Sequence, residues 1–140
     1  MEGTRTPDDT LAFIEDSIRR RESSGSGDWA IIATLEDGPS IVGVIGLHGL
    51  HRANLRTAIG YRVAGAHEGR GFITRAGAAV VDHLFDIGLH RVEIHVATDN
   101  DRSRAVAERL GLRFEGVGRG AERLHGRSID LAVHARLRTD

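Results

Sequence analysis

Apolar residues recur every three or four positions in two stretches of the chain, which is the spacing of one buried helix face. The first stretch contains Leu11, Ile14 and Ile18 and follows the sequence TPDD at 6–9, a pattern typical of a capped helix start. The second stretch runs up to Gly88, which we expect to end its helix, and its apolar positions are Ile73, Gly77, Val80, Val81, Leu84, Phe85 and Ile87. The pattern therefore predicts two amphipathic helices, with a flexible serine-glycine segment after the first.

Alternating positions and short apolar runs predict strands around these helices. Residues 91–97 alternate most clearly, with three apolar residues on one face and Glu93 and His95 on the other. Further strands are expected over 29–35, 41–47, 57–63, 113–118 and 129–137, with a short helix over 103–110. This order of elements predicts the α+β class, with a mixed, mostly antiparallel sheet flanked by helices. Strands 57–63 and 91–97 should be parallel and joined by a right-handed helical crossover.

Composition limits the classes of function. The chain has 140 residues, and we expect residues 1–140 to form a single domain. A net charge of −1 argues against a general nucleic-acid-binding protein. The absence of cysteine excludes thiolate chemistry, and His48 and His51 have no carboxylate at metal-ligand spacing, so no metal is expected. Because the sequence has neither a membrane-length apolar run nor a signal-like start, we expect a cytoplasmic protein without membrane contact.

A short glycine loop, Gly69-Arg70-Gly71, lies between a predicted strand and the second predicted helix. Glycine lets the backbone approach a ligand closely, and the unpaired amides at a helix start form an anion site suited to a pyrophosphate. Arg70 and Arg75 could add positive charge. An ordinary tight turn into a helix explains the loop equally well. The loop lacks the Gly-Lys-Ser/Thr ending of a P-loop, and Thr74 replaces the third glycine of a dinucleotide fingerprint.

Five short segments add context to the loop: IGYRV at 59–63, HEGRGFIT at 67–74, GLHRV at 88–92, NDRS at 100–103 and ERLGLRFEG at 108–116. In this order and spacing, over about residues 30–137, they resemble the GNAT superfamily of N-acetyltransferases and, more narrowly, its RimJ/RimL-like branch. The resemblance implies a GNAT fold with splayed central parallel strands. It also implies acetyl-CoA as co-substrate and acetyl transfer by direct attack of a primary amine, either a protein N-terminal α-amine or a small amine.

The resemblance further implies which residues hold the cofactor. The acyl-CoA loop of the family falls on residues 68–73, where Gly71 matches and where Glu68 and Ile73 depart from the family pattern. Amides of this loop should hold the pyrophosphate, and the free strand edge near 61–63 should pair with the pantetheine arm. The implied cofactor contacts are Tyr61, Val63, Glu68, Gly69, Arg70, Gly71, Phe72, Ile73, Thr74 and Asn100.

The same resemblance implies Ser103 as an acid and Glu122 as a base in the transfer. Two plainer interpretations stay open: Asn100 and Ser103 are residue types favoured in helix caps, and Glu122 can be a solvated loop charge. Beside the loop, His67 is a candidate for the edge of the cofactor site, and His48 is a candidate acceptor contact.

Members of the family normally begin with a strand and a helix ahead of the helix that here follows Thr6. We therefore expect an N-terminally short domain whose uncovered sheet edge pairs with a second copy in a homodimer. Two other functions stay open at this point, a non-catalytic acyl-CoA-binding module and a phosphate-binding domain of another kind. The acceptor stays open between protein N-termini and small amines.

Overall fold

The computed structural model describes residues 27–35, 38–63, 65 and 71–140. Within these ranges the chain forms six strands and two helices, numbered in chain order. The strands are β1 (Gly27–Leu35), β2 (Gly38–His51), β3 (Arg56–Val63), β4 (Arg91–Ala97), β5 (Arg113–Leu124) and β6 (Arg127–Leu137), and the helices are α1 (Phe72–Asp86) and α2 (Asp101–Arg109). The helix predicted after Thr6 lies outside the described residues.

The six strands form one sheet in the order β1-β2-β3-β4-β6-β5. Neighbouring strands are antiparallel except β3 and β4, which are parallel and are connected through α1. The predicted α+β class, with a mixed and mostly antiparallel sheet, is therefore confirmed. Neither described helix is long and apolar enough to cross a membrane.

The two parallel strands separate soon after they meet. They pair over only three positions, from Arg56 opposite Arg91 to Ala58 opposite Glu93. Beyond these positions β3 stays paired with β2 as far as Val63, while β4 stays paired with β6. The facing edges of β3 and β4 are therefore not joined to each other, and the sheet opens between them. This confirms the splayed central strands that the resemblance implied.

Both helices pack on the same face of the sheet. Helix α1 buries one side, from Phe72 to Phe85, against the sheet. It also approaches the end of α2 at Gly77, where an added Cβ would lie 2.9 Å from a methyl carbon of Leu110. Gly88 follows the end of α1 with a φ of 109°, as predicted for a helix stop. Ile87 was wrongly placed on the buried stripe: it is the C-cap residue and is 44% exposed.

Two strands at the end of the chain are longer than the sequence predicts. Strand β5 continues past Gly118 to Leu124, and β6 begins at Arg127, so the two form a hairpin closed by His125 and Gly126. The prediction stopped at Gly118 because the following residues are polar and glycine-rich, and the register between the strands shifts there. As a consequence, the suggested loop position of Glu122 is wrong, and this residue lies in β5.

Candidate functional site

A cleft of about 1030 Å³ lies where β3 leaves β4. One wall is the end of β3, a second is the first turn of α1, and a third is the exposed side of α2 from Asn100 to Arg109. Seven of the predicted cofactor contacts meet here with Ser103, and these are Tyr61, Val63, Gly71, Phe72, Ile73, Thr74 and Asn100. The remaining predicted contacts, Glu68, Gly69 and Arg70, lie outside the described residues, as does His67.

The start of α1 presents an anion-binding end to this cleft. Gly71 is the N-cap residue and has a φ of 76°, a left-handed conformation that glycine adopts without strain. The first turn closes with a 3.1 Å hydrogen bond from the Arg75 amide to the Gly71 carbonyl. The first turn contains no acidic residue, so the amides and the positive end of the helix dipole are available to a negative ligand.

Arginine side chains make this part of the surface cationic. Arg62, Arg75, Arg102 and Arg109 line the cleft, and its described lining contains no aspartate or glutamate. Positions 102, 106 and 109 are three and four residues apart, so they share one face of α2. Because the whole chain has a net charge of −1, this concentration of positive charge is local and favours an anionic ligand.

Tyr61 connects the end of β3 with α2, two walls of the cleft. Its Oη donates a 3.0 Å hydrogen bond to the backbone carbonyl of Ser103, which ties the end of β3 to the first turn of α2. Burial raises the pKa of Tyr61, although the nearby Ser103 side chain acts in the opposite direction. The phenol therefore stays neutral and acts as a donor, and it fixes the distance between two walls of the cleft.

Asn100 caps α2. Its Oδ1 accepts a 3.1 Å hydrogen bond from the Ser103 amide, and its carbonyl accepts one from the Arg104 amide. The capping interpretation is therefore confirmed, and α2 begins at Asp101 rather than at the predicted residue 103. The cap leaves the side-chain nitrogen of Asn100 as the group that can donate to a ligand in the cleft.

Glu122 is not among the residues that line the cleft. It is exposed, and its pairing with Ile129 puts it on the sheet face opposite the two helices, since paired residues in a ladder point to the same side. Asp130 accepts a 2.8 Å hydrogen bond from the Gly120 amide and so orients the irregular part of β5. His48 also lies on the sheet face opposite the two described helices, above Gly60, whose added Cβ would meet the imidazole ring.

The sequence did not predict a charged network on β4. Arg91 donates to Glu93 at 2.9 Å and to both carboxylate oxygens of Glu115 at 2.9 and 2.6 Å. Glu93 also lies 2.7 Å from His95 Nε2. Burial alone would raise the pKa of Glu93, but the hydrogen bonds from His95 and Arg91 outweigh it and lower that pKa. The sequence did contain a signal for the contact between residues 93 and 95, because alternation along β4 puts both side chains on the same face of the strand.

Comparison with known proteins identifies the fold. A family model described as "Acetyltransferase (GNAT) domain" matches residues 1–113. The Bacillus subtilis protein YdaF, whose name gives it provisionally as a ribosomal N-acetyltransferase, is 38% identical over 107 residues. That alignment covers 76% of this chain and 58% of YdaF, so the chain spans little more than half of the relative's length.

Two solved structures are similar over most of the chain. One is the microcin C7 self-immunity acetyltransferase MccE in complex with acetyl-CoA and AMP. Its TM-score is 0.77 at 29% identity, over 93% of this chain and 71% of MccE. The other is apo RimL, the ribosomal L7/L12 alpha-N-protein acetyltransferase. Its TM-score is 0.76 at 25% identity, over 89% of this chain and 77% of RimL. This chain belongs to the GNAT acetyltransferase family, in its RimJ/RimL-like branch.

Proposed function

We propose that this chain is an N-acetyltransferase that moves the acetyl group of acetyl-CoA to a primary amine by direct attack. The observation that carries the proposal is the arginine-lined cleft between the unpaired edge of β3 and the first turn of α1. Family membership supports the same activity, and the similar protein MccE has been crystallised with acetyl-CoA. We further propose that residues 1–140 act as one acetyltransferase domain.

The residues present fit the parts of acetyl-CoA. Its phosphates are anionic and suit the amides of Phe72, Ile73 and Thr74 after Gly71, with Glu68, Gly69 and Arg70 proposed to extend the same loop. Its pantetheine arm contains amide groups, which suit the backbone edge of β3 that β4 leaves unpaired at 61–63. The cleft volume of about 1030 Å³ is in the range of pockets that bury a large ligand.

The chemistry of transfer needs a neutral amine, a polarised carbonyl and a stabilised thiolate. The pKa of an α-amino group is ordinarily near 7.7–8.0, about 2.5 units below that of a lysine amine, so a protein N-terminus needs little help to become neutral. Positioning and an amide near Val63 aimed at the thioester oxygen can supply much of the rate. We retain Ser103 as the proposed hydrogen-bond partner of the sulfur and Glu122 as the base candidate that the resemblance supplies.

A non-catalytic acyl-CoA-binding module is the second candidate, because Glu122, the base that the resemblance implies, is not among the residues that line the cleft. Both functions need the same cleft, and only turnover separates them. A thiol-release assay with acetyl-CoA and a panel of amines therefore decides between them.

Calorimetric titration tests the cleft assignment first. We expect the purified chain to bind acetyl-CoA and CoA with micromolar dissociation constants and to show no comparable binding of ATP, because ATP offers phosphates without a pantetheine arm to pair with β3. Binding of ATP as tight as that of acetyl-CoA would indicate that the cleft is a general phosphate site and not a site specific for coenzyme A. Absence of binding to all three ligands would contradict the proposed function.

We also propose a cytoplasmic enzyme whose acceptor is a protein N-terminus, because RimL is named as an acetyltransferase of a ribosomal protein. A homodimer through a sheet edge is part of the same proposal. The edge strands of the described sheet are β1 and β5, and β5 exposes Phe114, Val117 and Leu124, each by 46–50%. Light scattering at roughly tens of micromolar should give twice the mass of one chain, and a monomer at this concentration would contradict the dimer.

A further inference from the structure

The sheet face opposite the two described helices carries His48 and His95, one on each side of the splay. On β4, Val92 and Ile94 are buried towards the helices, so the alternation turns Glu93 and His95 to the other face. On the neighbouring strands, pairing puts His48 opposite Ala58 on that same face. The cofactor cleft lies on the helix side, so this face is the one from which a second substrate can reach the opening between β3 and β4.

Small residues on β3 leave room beside His95. The last pair of the parallel ladder joins Ala58 to Glu93, so Gly60 and His95 are each two positions further on, where the strands separate. Ala58 has only a methyl group and Gly60 has no side chain, while the imidazole of His48 on β2 lies over Gly60. An amine that enters from this face therefore passes between the imidazoles of His48 and His95.

The imidazole of His95 is held in one orientation. Its Nε2 lies 2.7 Å from Glu93 Oε1, and the His95 and Glu93 side chains are 40% and 15% exposed. Arg91 holds the other oxygen of Glu93 at 2.9 Å and is itself held by Glu115. Because an ionised carboxylate only accepts hydrogen bonds, Nε2 carries the proton in the neutral ring, and Nδ1 keeps a free lone pair.

We propose that His95 is the base that deprotonates the acceptor amine, and that Glu93 is the positioning residue that fixes its tautomer. The inference rests on the proposed function. The amine nitrogen forms a bond to the thioester carbonyl carbon, the carbon–sulfur bond breaks, and His95 Nδ1 takes the proton that the amine loses. The coenzyme leaves as a thiolate, which takes a proton from solvent.

Two observations favour His95 over Glu122 for this step. Imidazole is the side-chain group that ordinarily changes charge near neutral pH, where a base must accept and release a proton in each turnover. In addition, His95 adjoins the opening of the sheet, whereas β6 separates Glu122 from β4. Beyond the network itself, the charged or titratable residues on this face that the pairing indicates are Asp28, His48, His51, Arg56, Arg62, Arg113, Glu122 and Arg127. Arg62 is at the end of β3 and also borders the cofactor cleft.

The pH profile of turnover tests the inference. Thiol release is measured for the unmodified chain, His95→Gln and Glu122→Gln, with a short peptide bearing a free α-amine, its Nα-blocked twin, and spermidine. We expect His95→Gln to lower kcat/KM at neutral pH by about 10²–10³-fold and to flatten the acidic limb of the profile. The dissociation constant for CoA should change by less than about twofold, since His95 lies outside the cofactor cleft. His90→Gln, an exposed histidine just before β4, is the matched control and should behave as the unmodified chain.

The tautomer provides a readout that does not depend on activity. Long-range proton–nitrogen NMR spectra should show His95 protonated at Nε2, and Glu93→Ala should remove this preference while the chain stays folded. An Nδ1-protonated ring in the unmodified chain would overturn the inference.

The outcomes separate the inference from the proposed function. Turnover by the unmodified chain with an unchanged profile in His95→Gln overturns the inference alone, as does a profile that only Glu122→Gln alters. Binding of acetyl-CoA without turnover of any amine overturns the proposed function and the inference with it.

Discussion

Replacing Gly43 with alanine should lower the free energy of unfolding by about 3 kcal/mol, because the new methyl group has no space in the sheet. Gly43 is buried in β2, opposite Val63, and an added Cβ would lie 2.5 Å from the backbone carbonyl oxygen of Arg62. A backbone atom in a paired strand cannot rotate away as a side chain can, so β3 itself must shift. Denaturant unfolding followed by circular dichroism measures the change.

The same shift should reach the cofactor cleft, since Tyr61 and Val63 flank the displaced carbonyl of Arg62. We therefore expect Gly43→Ala to weaken acetyl-CoA binding as well as stability. Gly65→Ala is the matched control, because an added Cβ there meets no atom of the described residues within 4 Å and its backbone is not left-handed. Unfolding of Gly43→Ala at the same denaturant concentration as the unmodified chain would show that β2 and β3 are further apart than the structure indicates.

A strand with a regular pattern was predictable with its bounds, whereas the glycine-interrupted end of another strand was not. Strand β4 was predicted with its observed bounds, because buried and polar residues alternate along its whole length. The end of β5 was missed because Gly118 and Gly120 interrupt the pattern, although pairing with β6 resumes at Glu122. In such a segment the neighbouring strand, and not the segment's own side-chain pattern, determines that the backbone is extended and paired.

The residues of the candidate site also divide into those with a local sequence signal, which were predicted, and those without one, which were missed. Gly71 at the start of α1 and the capping role of Asn100 were predictable because their signals are local, a glycine before a helix and a capping residue type. The predicted place of Asn100 in the cofactor site came only from the resemblance. The arginines of α2 were missed, although residues 102 and 109 lie two turns apart on one helix face. The contacts of Arg91 with Glu115 depend on the pairing of β4, β6 and β5, which single-sequence reasoning did not provide.

Removing the positive charge of Arg102 and Arg109 together should weaken acetyl-CoA binding by about 100-fold. Both arginines lie on the side of α2 that lines the cleft. A hydrogen bond to a charged group contributes about 1.5–3 kcal/mol. Because both side chains are exposed, we take the lower end of this range, roughly tenfold for each. The double variant Arg102→Gln/Arg109→Gln keeps good helix formers in α2, and calorimetric titration measures the loss.

Charge is the proposed cause, so the loss should depend on salt. Raising the ionic strength should weaken binding to the unmodified chain more than to the double variant, because screening acts on the attraction that the variant has already lost. Arg138→Gln removes one charge from the exposed end of the chain, outside the cleft, and should leave the affinity unchanged. A double variant that binds acetyl-CoA as tightly as the unmodified chain would show that the phosphates lie away from α2. The first turn of α1 and the loop before it would then carry phosphate recognition without the α2 arginines.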